Sequence, residues 1–326
     1  MKRKIYLIAL FATVSAFVQA STPVKIIFDT DMGPDYDDVG AITVLHALAD
    51  KGECEILACV ASDDYPTIAP TIEAFNRYFK KPDIPVGAAV EGAPEITAPN
   101  HWNDSIIAKY LPKPKTKSDY PSAIEVYRKV LASQPDESVT IVTVGFVSNL
   151  VGLLKSKPDK FSPLSGSELV AKKVKNWVAM AGMFPQGREF NVFKHPEASY
   201  YVFQNWPTPI LFSGFEIGKS IFTGRKVADS GYKNSPVAWA YKFNLDTYEG
   251  KKVEKRQSWD QTAVLCAVRN PEEYFYVNGP GKFVILEDGS NQWDPNENKE
   301  HYFLTHKYPY QHIADIIDEL MMHQPK

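Results

Sequence analysis

Between Lys25 and Lys51 the chain has no lysine or arginine, yet Asp29, Asp31, Asp35, Asp37 and Asp38 all fall inside that gap. Cysteine is scarce too, with Cys54, Cys59 and Cys266 the only three in 326 residues. An odd count in apolar contexts such as Ile56-Leu57-Ala58-Cys59-Val60 argues against a disulfide framework and for buried free thiols. Cys54 and Cys59 stand too far apart along one extended segment to be bridged. No basic stripe is present: 36 Lys and Arg against 39 Asp and Glu leave a net charge of −3, which disfavours nucleic-acid binding through phosphates. There is no linker tract and no internal repeat, and the Pro- and Lys-rich stretch from Leu111 to Ser118 is short enough to be a surface loop. Long apolar runs are absent after Ile5–Val18, which follows Met1-Lys2-Arg3-Lys4 and leads into Val18-Gln19-Ala20. That pattern predicts a secretory signal peptide over residues 1–20 and is short for a membrane span. The expectation is an exported protein with no membrane association after cleavage, periplasmic in a Gram-negative source and otherwise secreted. A single domain is expected over residues 21–326.

What is present alternates. Val24–Phe28 reads as a buried strand, Glu55–Ala61 as a second and Ile84–Gly87 as a short third, with a helix predicted from Thr67 to Phe79 between the last two. A helix over Ser122–Ala132 leads into the β-branched run Ser138–Val144, closed by Gly145, with Ser148 or Asn149 expected to cap the next helix. Further strands are predicted at Trp177–Ala181 and Pro209–Phe212. Strands separated by helices predict an α/β fold with an open, mostly parallel sheet and helices on both faces. From Asn291 to Tyr310 the pattern is irregular, and a helix is predicted from Gln311 to Met322.

The five acids sit where the first strand turns into a helix (Val39, Ala41, Ile42, Val44, Leu45 and Leu48 at helical spacing). In parallel sheets this is where ligands bind, and a helix N-terminus favours negative charge. Crowded carboxylates without counter-charge raise one another's pKa values, and a bound cation is the simplest remedy. An all-oxygen cluster with no nearby Cys, and with His46 well inside the following helix, favours a hard ion such as Ca²⁺ or Mg²⁺ over Zn²⁺. Singly, Asp37 or Asp38 has an ordinary reading as a capping residue.

The EF-hand pattern fails, because Gly33 and Gly40 stand where acidic ligands are needed. An Asp-x-Asp phosphatase, with Asp29 as nucleophile and Asp31 as acid/base, leaves Asp35, Asp37 and Asp38 unexplained. A closer resemblance is to the inosine/uridine-preferring nucleoside hydrolases, in Asp29-Thr-Asp31-Met-Gly33 followed by Asp37-Asp38. The turn is two residues longer than the family's shorter form, which leaves Asp35 unassigned. Downstream, Val144-Gly145-Phe146-Val147-Ser148-Asn149 is similar to a second family segment, Glu189-Phe190-Asn191 with Pro196-Glu197-Ala198 to a third, and Ser258-Trp259-Asp260 to a fourth.

The resemblance implies hydrolysis of the N-glycosidic bond of ribonucleosides or related N-ribosides to free base and ribose. Ca²⁺ would be held by Asp31, Asp38, Asp260 and the Val144 carbonyl, binding ribose hydroxyls and a water toward which Asp31 acts as base. Glu189 and Asn191 would grip sugar hydroxyls, with Asp37 and Asp63 in supporting contacts. It also implies a homo-oligomer. Taken singly, Asn149 reads as a helix cap, Glu189 as a surface acid and Asp260 as an N-cap. Two departures concern substrate choice. Trp259 stands where many members carry a His that protonates the leaving base; it supplies no proton at neutral pH but can stack on an aromatic group. Met183 stands where an Asn often binds the sugar. His101, His195 and His301 are weak replacement acids. The rival readings are a periplasmic nucleoside- or sugar-binding protein without catalysis, and the phosphatase.

Overall fold

The computed structural model describes residues 22–248, 250 and 252–325; the predicted signal peptide lies outside the described residues. In chain order the strands are β1 (Val24–Thr30), β2 (Cys54–Ala61), β3 (Val86–Gly87), β4 (Val139–Thr143), β5 (Val174–Ala179), β6 (Gln186–Gly187), β7 (Ile210–Phe212), β8 (Phe222–Thr223), β9 (Arg256–Gln257), β10 (Phe275–Ile285), β11 (Asn291–Asp294) and β12 (His301–His306). All but β8 and β9 form one ten-stranded sheet in the order β3-β2-β1-β4-β5-β7-β12-β10-β11-β6, while β8 and β9 pair with each other. Pairing is parallel from β3 through β12 and antiparallel from there to β6.

The parallel strands are apolar on both faces because helices cover both. Alternate residues of β1 point into different cores. Ile26 and Phe28 join Val142 in the core against the helices Asp37–Asp50 and Trp259–Val268, whereas Ile27 joins Val139 and Ile141 against Ala123–Ser133 and Ser148–Lys155. Cys54, Cys59 and Cys266 are free and buried. No helix among the described residues is long and apolar enough to cross a membrane.

Two local expectations are corrected. Neither Ser148 nor Asn149 caps the helix Ser148–Lys155: Val147 holds that position without a side-chain bond, and Asn149 is drawn inward. The segment Asn291–Tyr310 is also more regular than its composition suggests, since β11 and β12 fall in it. These strands join the antiparallel flank, where faces are only partly buried and apolar alternation is weak.

Candidate active site

Strand order reverses between β1 and β4, the crevice position at which open α/β sheets receive ligands. Val144 follows β4 and its amide donates to the Asp29 carbonyl at 2.8 Å, so the ends of the two strands are locked side by side. Gly145 is required there: a Cβ would lie 2.6 Å from the Asp31 amide nitrogen and 2.5 Å from Ser62 Oγ. A cavity of about 450 Å³ opens at this edge, within the usual range for small-molecule sites.

Asp31, Val144, Glu189, Asn191, Trp259 and Asp260 line the cavity, together with Asp35 and Asp37. Asp38 is wholly buried; Thr30 donates its hydroxyl to one carboxylate oxygen, and the other, Oδ2, has no hydrogen-bond partner. Burial first, and then the charges of neighbouring acids, hold Asp31, Asp38 and Asp260 well above the ordinary carboxyl range. Asp260 is in the first turn of the helix Trp259–Val268, whose cap is Ser258.

Asp37 serves three neighbours. Its Oδ2 accepts from the Trp259 and Asp260 amides at 3.2 and 3.4 Å, and its Oδ1 faces Arg256 Nη2 at 3.3 Å. Burial, then the charge of Asp35, pushes Asp37 up to about 7 despite that arginine. Arg256 also binds Asp35 at 2.7 Å. The counter-charge missing from the acidic turn is thus partly supplied from 219 residues away.

Glu189 is buried and caps the short helix Phe190–Phe193, accepting from the amides of Asn191 at 2.9 Å, Gly182 at 3.1 Å and Val192 at 3.3 Å. Burial outweighs these bonds and raises it to about 7. The Asn191 amide donates to the carbonyls of Val144 and Met180, each at 3.1 Å. Trp259 stacks on Phe215 with ring centroids 5.3 Å apart, and its indole N–H donates to the Phe215 carbonyl.

Asp63 is not among the lining residues. It accepts from the amides of Tyr65 and Ile96 at 2.7 and 2.9 Å and so holds the loop whose Ile96 and Thr97 line the cavity. Asp29 is also outside the cavity. Its carboxylate receives the Tyr127 hydroxyl at 2.8 Å and the Asn149 amide at 3.1 and 3.2 Å, and burial raises it to about 7. An Asp29 nucleophile is therefore ruled out by placement, and with it the phosphatase reading. His101, His195 and His301 do not line the cavity, and neither does Met183. His195 Nδ1 is 2.8 Å from Ser148 Oγ, and His301 Nδ1 accepts from the Phe283 amide.

Arg256, Tyr248, Phe215 and Lys194 line the cavity without having been foreseen. The signal available for Arg256 was its place two residues ahead of Ser258-Trp259-Asp260. Tyr248 donates its hydroxyl to the Pro34 carbonyl, closing the acidic turn from the side.

The profile of the inosine-uridine preferring nucleoside hydrolase family matches residues 26–306. A curated relative, the pyrimidine-specific ribonucleoside hydrolase RihA of Salmonella agona, is 33% identical over 203 residues, covering 59% of this chain and 60% of the relative. The chain thus spans about three-fifths of the length of the curated relatives it matches. Among solved structures, the inosine-uridine preferring nucleoside hydrolase from Bacillus anthracis superposes with a TM-score of 0.67 at 14% identity, covering 91% of this chain and 99% of that one. The purine-preferring ribonucleoside hydrolase from Gardnerella vaginalis gives 0.68 at 16%, covering 91% and 98%. At these identities the structural likeness establishes the fold.

Proposed function

Because the chain belongs to the inosine-uridine preferring nucleoside hydrolase family, we propose that it hydrolyses the N-glycosidic bond of ribonucleosides or related N-ribosides to free base and ribose. One observation carries the reading: Asp31, the Val144 residue, Glu189, Asn191 and Asp260, from segments far apart in sequence, meet in one cavity beside the buried, half-unpartnered Asp38.

The donor set fits a hard divalent cation. Asp31, Asp38, Asp260 and the Val144 carbonyl offer only oxygen, and the orphaned Asp38 Oδ2 is a buried acceptor that a cation would satisfy. Ca²⁺ is the proposed ion. Held by these residues, it would supply positive charge that favours sugar hydroxyls and lowers the pKa of a water. Asp31 takes the proton from the attacking water as the sugar develops oxocarbenium character. Glu189 keeps one acceptor position on Oε1 for a sugar hydroxyl, its backbone donors using the other three. Asn191 commits its amide hydrogens to two carbonyls, so its sugar contact falls to its Oδ1. Phe215 and Trp259 form a flat wall for an aromatic leaving group.

With the Trp259 N–H and the Tyr248 hydroxyl both committed, and no histidine among the described lining residues, Lys194 is the lining ammonium left to serve a leaving group, and leaving groups that depart without protonation do not depend on it. A panel of purine, pyrimidine and nicotinamide ribosides, with and without EDTA, tests the reading by release of reducing sugar. EDTA-sensitive release, fastest from the already cationic nicotinamide riboside, is expected. Thermal stabilisation by ribosides without any sugar release would replace hydrolysis with binding alone. Export with cleavage after Ala20 belongs to the same proposal, and the mass of the chain recovered outside the cytoplasm checks it.

A further inference from the structure

Asp35 and Arg256 take no part in the hydrolysis just described, yet they form the tightest ion pair at the site. Arg256 is 8% exposed and its guanidinium lies among the rings of Tyr36, Tyr248 and Trp259, at 5.2, 5.4 and 5.3 Å from their centroids. Nη2 reaches Asp35 Oδ2 at 2.7 Å and Asp37 Oδ1 at 3.3 Å, and Nε reaches the same Asp37 oxygen at 3.4 Å. Asp35 is available for this because the turn between Asp31 and the Asp37-Asp38 pair has room for it.

The arrangement matters because two acids of the turn and Asp260 of the helix Trp259–Val268 make a second set able to take a cation. Carboxylate oxygens of Asp35, Asp37 and Asp260 all lie within 4.8 Å of one another. That set shares Asp260 with the Asp31–Asp38–Val144 group, so a divalent ion entering the cavity has two overlapping destinations. An ion held by Asp35 and Asp37 together would compete with Arg256 for Asp35 Oδ2 and Asp37 Oδ1 and be repelled by its charge, and displacing Arg256 would leave a guanidinium buried among three rings without its counter-charges. Removing one partner of a buried ion pair is costly in just this way.

We propose that Arg256 acts as a resident cation that occupies the Asp35–Asp37 half of the acidic turn and thereby confines Ca²⁺ to Asp31, Asp38, Asp260 and the Val144 carbonyl. Arg256 is on this account a positioning residue. It also ties the turn to the start of the helix Trp259–Val268, since the Asp37 oxygen it leaves free accepts the Trp259 and Asp260 amides. The inference rests on the calcium assignment made for the hydrolysis reading.

Calorimetric titration of the metal-stripped protein with CaCl₂ tests it. The wild type and Arg256→Lys, which keeps the charge, are expected to bind one Ca²⁺. Arg256→Met, which frees Asp35 and Asp37, is expected to take up a second, and Arg256→Met with Asp35→Asn to return to one. Asp35→Asn alone, a mild change at a half-buried side chain, is expected to keep one site with affinity within about threefold of wild type. Loss of about tenfold or more in Asp35→Asn would make Asp35 a ligand and overturn the proposal, even if Arg256→Met failed to fold. A folded Arg256→Met that still binds a single Ca²⁺ with wild-type affinity overturns it as well. Asp38→Asn with undiminished calcium affinity would instead sink the calcium assignment beneath it, so the two failures are told apart.

Discussion

At the residue scale the acids of the first turn divide according to what else each one touches. Asp29 is held by Tyr127 and Asn149 and faces no cavity, Asp35 and Asp37 face Arg256, and Asp31 and Asp38 remain for a cation with Asp260. Asp31→Asn removes the proposed base while keeping shape and one oxygen. The expected outcome is a loss of about 10²- to 10⁴-fold in kcat/KM with an unchanged circular dichroism spectrum. Full activity in that variant would move the base elsewhere. Asn149 is a different kind of residue: its amide bonds Asp29 and the Ala61 carbonyl, and its Oδ1 accepts the Val90 amide. Asn149→Ala strips these groups of partners in a fully buried place, and urea unfolding is expected to show a loss of about 2–4 kcal/mol. A change under about 0.5 kcal/mol would show that the surroundings relax around it.

At the element scale the site depends on three strand ends arriving level with one another. Val144 donates to Asp29 at the end of β1, and Met180, after β5, donates to Thr143 at the end of β4, both at 2.8 Å. Gly145 has no slack: a Cβ there would meet Asp31 Cβ at 2.7 Å as well as its amide nitrogen. Gly145→Ala is therefore expected to displace Asp31, with calcium affinity and kcat/KM each down by more than about tenfold for a stability cost of about 1–3 kcal/mol. Calorimetry and urea unfolding together check this, and unaltered calcium affinity would be the contrary result. β1, β2 and β4 were legible because strands buried on both faces are unbroken apolar runs, and their C-terminal ends pointed to the crevice. β11 and β12 were not, because on a partly buried antiparallel flank the pairing partner decides the structure more than the local pattern does. Asp31, Val144, Glu189, Asn191 and Asp260 could be read from motif order, and they meet in one cavity. Arg256 offered only its place ahead of Ser258-Trp259-Asp260, since its meaning lies in an ion pair across 221 residues that no local spacing encodes.

At the scale of the whole molecule, buried groups of opposite kinds set how stability responds to pH. Burial raises Asp63 and Glu189 to about 7, so each gives stability below its unfolded value that is lost as pH rises through 7. His46 and His301 act oppositely, lowered chiefly by burial to about 3 and about 4. Each stays neutral when folded and gives stability above pH ~6.5 that is lost as pH falls toward its folded value, because the unfolded chain then binds the extra proton. Between pH ~4.5 and ~6.5 the two histidines pull against Asp63, Glu189 and the raised acids around the first turn, so the wild-type profile alone isolates none of them. His46 can be isolated. It is fully buried on the helix Asp37–Asp50, 2.9 Å from Asn76 Oδ1 and stacked on Phe79 at 4.5 Å. His46→Gln keeps a donor for Asn76 but cannot titrate, so the difference between wild-type and variant stability isolates one proton. That difference is expected to be constant above pH ~6.5 and to shift against the wild type by about 1.4 kcal/mol per pH unit below it. Urea unfolding at four pH values from 7.5 to 4.5, metal-stripped throughout, measures it. Parallel profiles for the two proteins would mean that His46 is already charged in the fold, with Asn76 and the unpartnered Nδ1 rearranged to hold that charge.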